Sequence, residues 1–200
     1  MKTNRDQILQ DAFVLFMQMN YEKASFAKLQ EATGLTSAGI THHFGNKLNL
    51  FIAVVDKYFL EAQTYSNKFD LQCSTLQEFI DTYIEGIENT VDRLKSLSRQ
   101  QSVREGSRNY YQFLNQACLY YPGFEEKCFA VFQRQYELWK TIVQRARETG
   151  EIKNDIVVEE VANMFHLSYF GLSFEMSFSV GLSPQSLKRH FQYVYNMIKN

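Results

Sequence analysis

Two hundred residues, 45% of them apolar and 22% charged, with a formal net charge of −1, are enough for one domain or for a very small domain leaning on a medium one. Only two prolines interrupt the chain, which leaves room for long helices and argues against a turn-rich β architecture. No run approaches the roughly 18–20 uninterrupted apolar residues of a membrane span, and the start lacks a signal-type apolar core, so a cytoplasmic protein with no membrane partner is expected.

The near-zero charge excludes nucleic-acid binding through a broadly basic field. Residues 1–50 carry a formal +1 and the remainder −2. A nucleic-acid partner would have to be held by a few placed cations and by backbone N–H groups at helix N-termini. Cys73, Cys118 and Cys128 are odd in number and lack C-x-x-C spacing, so neither a disulfide framework nor a metal site is expected. No phosphate-cradling loop or nucleophile elbow occurs either, and neither catalytic residues nor a cofactor are assigned.

From Arg5 onward, Ile8, Ala12, Leu15, Phe16 and Met19 recur at helical spacing. Ser25 is a good N-cap for a short second helix carrying Phe26 and Leu29, which stops at Thr33-Gly34 because glycine supplies a left-handed terminal residue. Thr36 caps a third helix through His42, with Ile40 and Phe44 turned inward. Gly45-Asn46 breaks it, and a longer helix follows with Leu50, Phe51, Val54, Val55, Tyr58 and Phe59. Three short helices with a tight glycine turn between the second and third have the shape of a helix-turn-helix.

Longer helices are predicted over 75–97, 103–120, 124–149 and 155–180. Pro122-Gly123, Gly150 and Gly181 separate them, and Ser183-Pro184 opens the last one. The fold class is all-α: an N-terminal three-helix helix-turn-helix domain over residues 1–48, then a C-terminal helical bundle over 49–200.

The stretch from Ala24 to Phe51 resembles the DNA-binding signature of the TetR family of transcriptional regulators. Gly34-Leu35-Thr36 at the turn, His43-Phe44, Lys47 and Leu50-Phe51 carry the resemblance, which is close over about the first sixty residues and beyond them survives as length and helix count. Three positions depart from the pattern. Gln30 stands where a small residue is usual, Thr41 replaces a common Tyr whose hydroxyl reaches a phosphate, and Lys28 fills an acidic slot, which removes a reciprocal capping box with Ser25.

The resemblance implies a homodimeric regulator that binds double-stranded operator DNA, most simply a repressor released by a small effector. The DNA-contact candidates are Thr36, Ser37, Ala38, Gly39, Thr41, His42 and Lys47. Ser37, Ala38 and Gly39 make the start of the third helix small enough for close approach to base edges. Gly39 costs a helix about 1 kcal/mol relative to alanine; the alternative is that it relieves packing against the first helix. His43 resembles the family's inward structural histidine, with His42 toward DNA. Lys47 adds a cation at the start of the fourth helix, as a phosphate anchor would, although a solvated lysine would look the same.

In the second domain the predicted helix over 155–180 carries two apolar stripes, so it is buried on both sides. The resemblance places a dimer interface here and on the last helix, with Gly171, Phe174, Phe178, Phe191 and Val194 as candidates. Complete burial within one subunit is the alternative. Aromatic residues in excess of obvious need suggest a pocket for an apolar or amphipathic effector, lined by Phe113, Trp139, Phe165 and Tyr169, unless these form solid core. Arg93, Lys95, Arg99, Arg104 and Arg108 form a cationic run, either a solvated face or an attractor for an anionic ligand.

Overall fold

The computed structural model describes residues 5–64, 73–98 and 103–200. Their elements are helical, and the single β-bridge among them joins Ile152 to Lys199. Four helices open the chain: α1 (Arg5–Gln18), α2 (Phe26–Thr33), α3 (Ser37–Phe44) and α4 (Lys47–Val55). The last continues through a π-helical turn, Asp56–Glu61, into Ala62–Thr64. Five follow: α5 (Leu76–Ser98), α6 (Val103–Tyr120), α7 (Phe124–Glu148), α8 (Val158–Ser177) and α9 (Pro184–Ile198).

Local chemistry sets most of these ends. Ser25 Oγ accepts from the Lys28 N–H, Thr36 Oγ1 from Gly39 and Asn46 Oδ1 from Asn49, each satisfying an otherwise orphan donor at a helix start. Gly34 closes α2 at φ 69°, a conformation that a side chain disfavours. One cap comes from far away. The Glu151 carboxylate, beyond α7, accepts from the Leu76 and Gln77 N–H groups at 2.8 and 3.1 Å and so caps α5. Tyr195 on α9 donates its hydroxyl to the same carboxylate at 3.0 Å.

Burial divides into two cores. The first joins Ile8, Phe13 and Phe16 of α1, Leu29 of α2 and Ile40 of α3 to Phe51, Val54 and Phe59 along α4. It also takes in Phe113, Ala117 and Tyr121 from α6 and the turn after it, and Phe124 at the start of α7. The second joins one face each of α5, α7, α8 and α9 around Trp139. Thus α4 and the C-terminal half of α6 pack directly on the helix-turn-helix.

Candidate nucleic-acid interface and internal cavity

The face of α3 that leaves the protein is formed by Ser37, Ala38, Thr41 and His42, all exposed, with its cap Thr36 exposed beside them. Ile40 and Phe44 turn inward and pin the helix to the first core. Gly39 is half-buried, but the nearest atoms a Cβ built there would meet belong to Thr36 and Leu35, at 3.4 Å and beyond, which is ordinary contact. Packing against α1 therefore does not explain this glycine. His43, expected inward, is exposed; the ring meets His42 and Phe44 at their edges rather than entering the core.

Gln30 is a residue whose role the sequence did not show. Its amide donates to the Ser37 hydroxyl, tying α2 to the first residue of α3 and orienting a candidate base-contacting group. The only signal was its departure from the family pattern at a position where a small residue is usual.

Lys47 is half-buried. Its Nζ donates to the Tyr21 carbonyl at 2.9 Å and lies 4.2 Å from the Tyr21 ring centroid. Burial lowers its pKa, and the nearby Glu22 partly offsets this. One of the ammonium's three donors is thus spent within the protein. Tyr21 in turn packs on Tyr120 at 4.5 Å between centroids, and its N–H donates to the buried Gln116 side chain. The Tyr120 hydroxyl reaches Glu22 at 2.7 Å. The α1–α2 loop, and Lys47 with it, is therefore docked on α6.

Of the four residues expected to line a pocket, Tyr169 borders a cavity formed by the described residues. A cavity of about 100 Å³ lies between α4, α5, α6, α7 and α8, with Phe59, Tyr110, Phe132, Tyr169 and Phe170 among its walls. Trp139 is excluded because it is solid core, stacked on Phe165 at 4.7 Å and 9° and meeting Phe79 and Phe191 edge-on. Phe165 is buried in the same cluster. Phe113 belongs to the first core, edge-on to Phe13 and Phe51.

Among the described residues the cavity's polar groups are hydroxyls and amides, with no lysine, arginine or histidine in its walls. Thr90 donates to the Gly86 carbonyl and Tyr111 to the Ser173 hydroxyl, both at 2.8 Å. Burial pushes the phenols of Tyr110, Tyr111 and Tyr169 upward in pKa, so they stay protonated at neutral pH. In the cationic run, Arg93, Lys95 and Arg108 are exposed. Arg99 and the Arg104 side chain lie outside the described residues.

The interface candidates separate cleanly. Gly171, Phe174 and Phe178 are exposed on α8, the two rings at 53% and 65%, in line with exposed Met164 and Leu167. Phe191 and Val194 are not available to a partner. They are fully buried against the Trp139 cluster, because that face of α9 is the one the second core claims. The outward face of α9 carries His190, Tyr193 and Met197 instead. Among the described residues no helix is long and apolar enough to cross a membrane, and no cluster of three metal-ligating side chains occurs.

A glycine-turned pair of short helices with a small, polar, outward face on the second, seated on a helical bundle, defines a helix-turn-helix protein with an attached all-α domain. Residues 8–54 match the family described as bacterial regulatory proteins, tetR family. This segment is similar to TetR-family regulators, and the whole chain shares the fold of solved structures of that family. The repressor AcnR of Corynebacterium glutamicum is 45% identical over 51 residues, 26% of this chain and 27% of that protein. The sequence match therefore spans about a quarter of the length of such relatives. A TetR-family transcriptional regulator from Cytophaga hutchinsonii superposes with a TM-score of 0.68 at 18% identity, covering 100% of this chain and 97% of the other. SmeT in complex with triclosan gives 0.66 at 17% identity over 98% and 91%. At these identities the likeness concerns the fold.

Proposed function

We propose that this protein is a DNA-binding transcriptional regulator: a cytoplasmic homodimeric repressor that binds a near-palindromic operator and leaves it when a small effector binds. One observation carries the DNA reading. The exposed face of α3 consists of Ser37, Ala38, Thr41 and His42, small or hydrogen-bonding side chains suited to base edges in a major groove. The N-terminal end of α3 and the cap at Thr36 supply backbone donors for phosphate. The likeness of residues 8–54 to AcnR and other repressors supports the same reading.

Dimerisation is supported by the apolar row Met164, Leu167, Gly171, Phe174 and Phe178, which repeats at three- and four-residue spacing on one exposed helix face. Effector binding is supported by the cavity and by the triclosan complex of a protein with the same fold. Selection from random duplexes tests the DNA reading. Enrichment of a two-fold symmetric motif is expected, and enrichment of none overturns it.

A second reading is favoured by the small size of the cavity, about 100 Å³, below the usual range for ligand sites of about 300–1,000 Å³. The same fold would then bind DNA and a protein partner without a ligand. A lack of thermal stabilisation across a broad library of lipophilic compounds would support it.

A further inference from the structure

We propose that the effector site is bipartite and selects a small amphipathic amine: the cavity takes a single apolar group, and a neighbouring groove takes a cationic head. This inference rests on the effector-binding reading above and adds the class of ligand, its seat and its way in.

Size sets the first half. A cavity of about 100 Å³ is somewhat smaller than the dry, benzene-binding cavity of about 150 Å³ known from a core-truncated protein. It therefore seats no more than one ring or a short chain. A larger ligand must extend beyond it.

The place to extend is adjacent. An open groove of about 500 Å³ runs between α5 and the α8–α9 loop. Val91 and Leu182 line both spaces, so they stand between them, and the proposed route from groove to cavity runs past these two apolar side chains. The groove carries charged side chains, whereas the described walls of the cavity carry none.

Charge sets the second half. Among the described residues no cation lines the cavity, although Arg93 acts on the wall residue Tyr110 from outside it, and the hydroxyl protons of Thr90 and Tyr111 are committed to protein acceptors. What those two oxygens offer inward is lone pairs. An anion entering would lose its water with no cation among the described wall residues to replace it. Beneath the wall, Gln135 is almost fully buried and donates to Gln63, which lines the cavity, yet its Oε1 has no partner. The aromatic walls formed by Tyr110, Phe132 and Tyr169 favour a cation or an apolar group over an anion.

Among the described residues the groove adds Glu88 and Asp92 against one cation, Lys95, which lies 3.4 Å from Asp92. Lys188 is close enough to Glu88 for Glu88 to raise its pKa, but its ammonium is paired with Asp81 at 2.9 Å. Gln185 donates to Glu88 at 3.4 Å, a long bond that a ligand ammonium could displace. The acidic side of the groove thus lies next to a cavity walled largely by aromatic and apolar side chains.

The test uses three probes that differ only in the head: 4-phenylbutylamine, 4-phenylbutanol and 4-phenylbutanoate, titrated calorimetrically into the full-length protein at neutral pH. The amine should bind tightest and the carboxylate weakest, separated by about tenfold or more. Glu88→Gln with Asp92→Asn should erase the amine's advantage over the alcohol without weakening the alcohol. Leu182→Trp should block all three. Val91→Phe obstructs the same route from the other side and serves if the first variant does not fold.

Equal or tighter binding of the carboxylate, binding unaffected by both obstructing variants, or no binding by any probe overturns the inference. Its failure is separable from that of the functional reading. Operator selection that succeeds while no probe binds leaves the regulator standing and removes this site. Amine binding with the expected pattern but unchanged operator affinity keeps the site and removes release by effector.

Discussion

Tyr58 stacks face to face on Phe13, with ring centroids 4.2 Å apart and planes within 10°, while the next residue, Phe59, lines the internal cavity. Both lie in the π-helical turn of α4, a local irregularity that often marks functional positions. Adjacent residues of one turn thus touch the helix-turn-helix core and the candidate effector site. The Lys57–Asp6 ion pair, at 2.6 Å, fastens the same turn to α1. A ligand that shifts the backbone of this turn at Phe59 would therefore also shift Tyr58 against α1.

Tyr58→Ala should cost about 1–3 kcal/mol of stability, through lost burial and the stacked pair. It should also leave ligand binding intact while weakening ligand-dependent DNA release. Tyr58→Phe should do neither, since the phenol is pushed up to about 12 mainly by burial and carries no charge to lose at neutral pH. Urea denaturation and operator titrations with and without 4-phenylbutylamine would check both; an uncoupled Tyr58→Phe protein would count against this route.

Gln30→Ala should release the Ser37 hydroxyl and lower operator affinity about two- to tenfold, the worth of one ordinary hydrogen bond. Ser37→Ala should have a similar effect. The double variant should fall short of the product of the two, because each single change already removes the shared bond. Anisotropy titrations on the selected operator would show strict additivity if the pair is irrelevant to binding.

Lys47→Ala should act twice. Losing a phosphate contact would weaken binding to all sequences alike and reduce the salt slope by about 1. Losing the donor to the Tyr21 carbonyl should also lower stability, by about 0.5–1.5 kcal/mol. A stability loss with an unchanged salt slope would mark Lys47 as a brace for the α1–α2 loop only.

Phe174→Glu and Phe178→Glu should yield folded monomers with weak operator affinity, because each places a charge in an exposed apolar row. Phe191→Ala should instead destabilise the fold by about 3–5 kcal/mol, as a fully buried ring in the Trp139 cluster. Sedimentation velocity and thermal melts separate the two outcomes. A monomeric parent protein at micromolar concentration would remove the interface proposal.

His166 is buried beside Tyr136 and Phe170, its Nδ1 has no partner, and desolvation lowers its pKa from 6.5. The unfolded chain therefore binds a proton that the folded chain resists. Stability should be full above pH 6.5 and should fall as pH drops from there through the lowered folded value. His166→Phe should flatten that part of the profile, and comparing the two proteins cancels the other histidines. Parallel pH profiles would refute the assignment.

The sequence by itself determined the helices, their order and the helix-turn-helix. Ser25, Gly34, Thr36 and Pro184 act on the backbone within a few residues of themselves, so their effect needs no knowledge of the rest of the chain. Periodicity likewise located apolar faces. It did not say what each face would meet. Gln30 and Ser37 bond across the turn, Glu151 caps α5 from the end of α7, and Trp139, Phe165 and Phe191 close on one another from three helices. A helix rich in aromatics offers several faces of similar hydrophobicity, and only competition among α5, α7, α8 and α9 for a limited interior decided which were buried. That competition put Phe191 and Val194 in the core, left Phe174 and Phe178 outside, and set Tyr169 beside a cavity while Trp139 and Phe165 went into solid core.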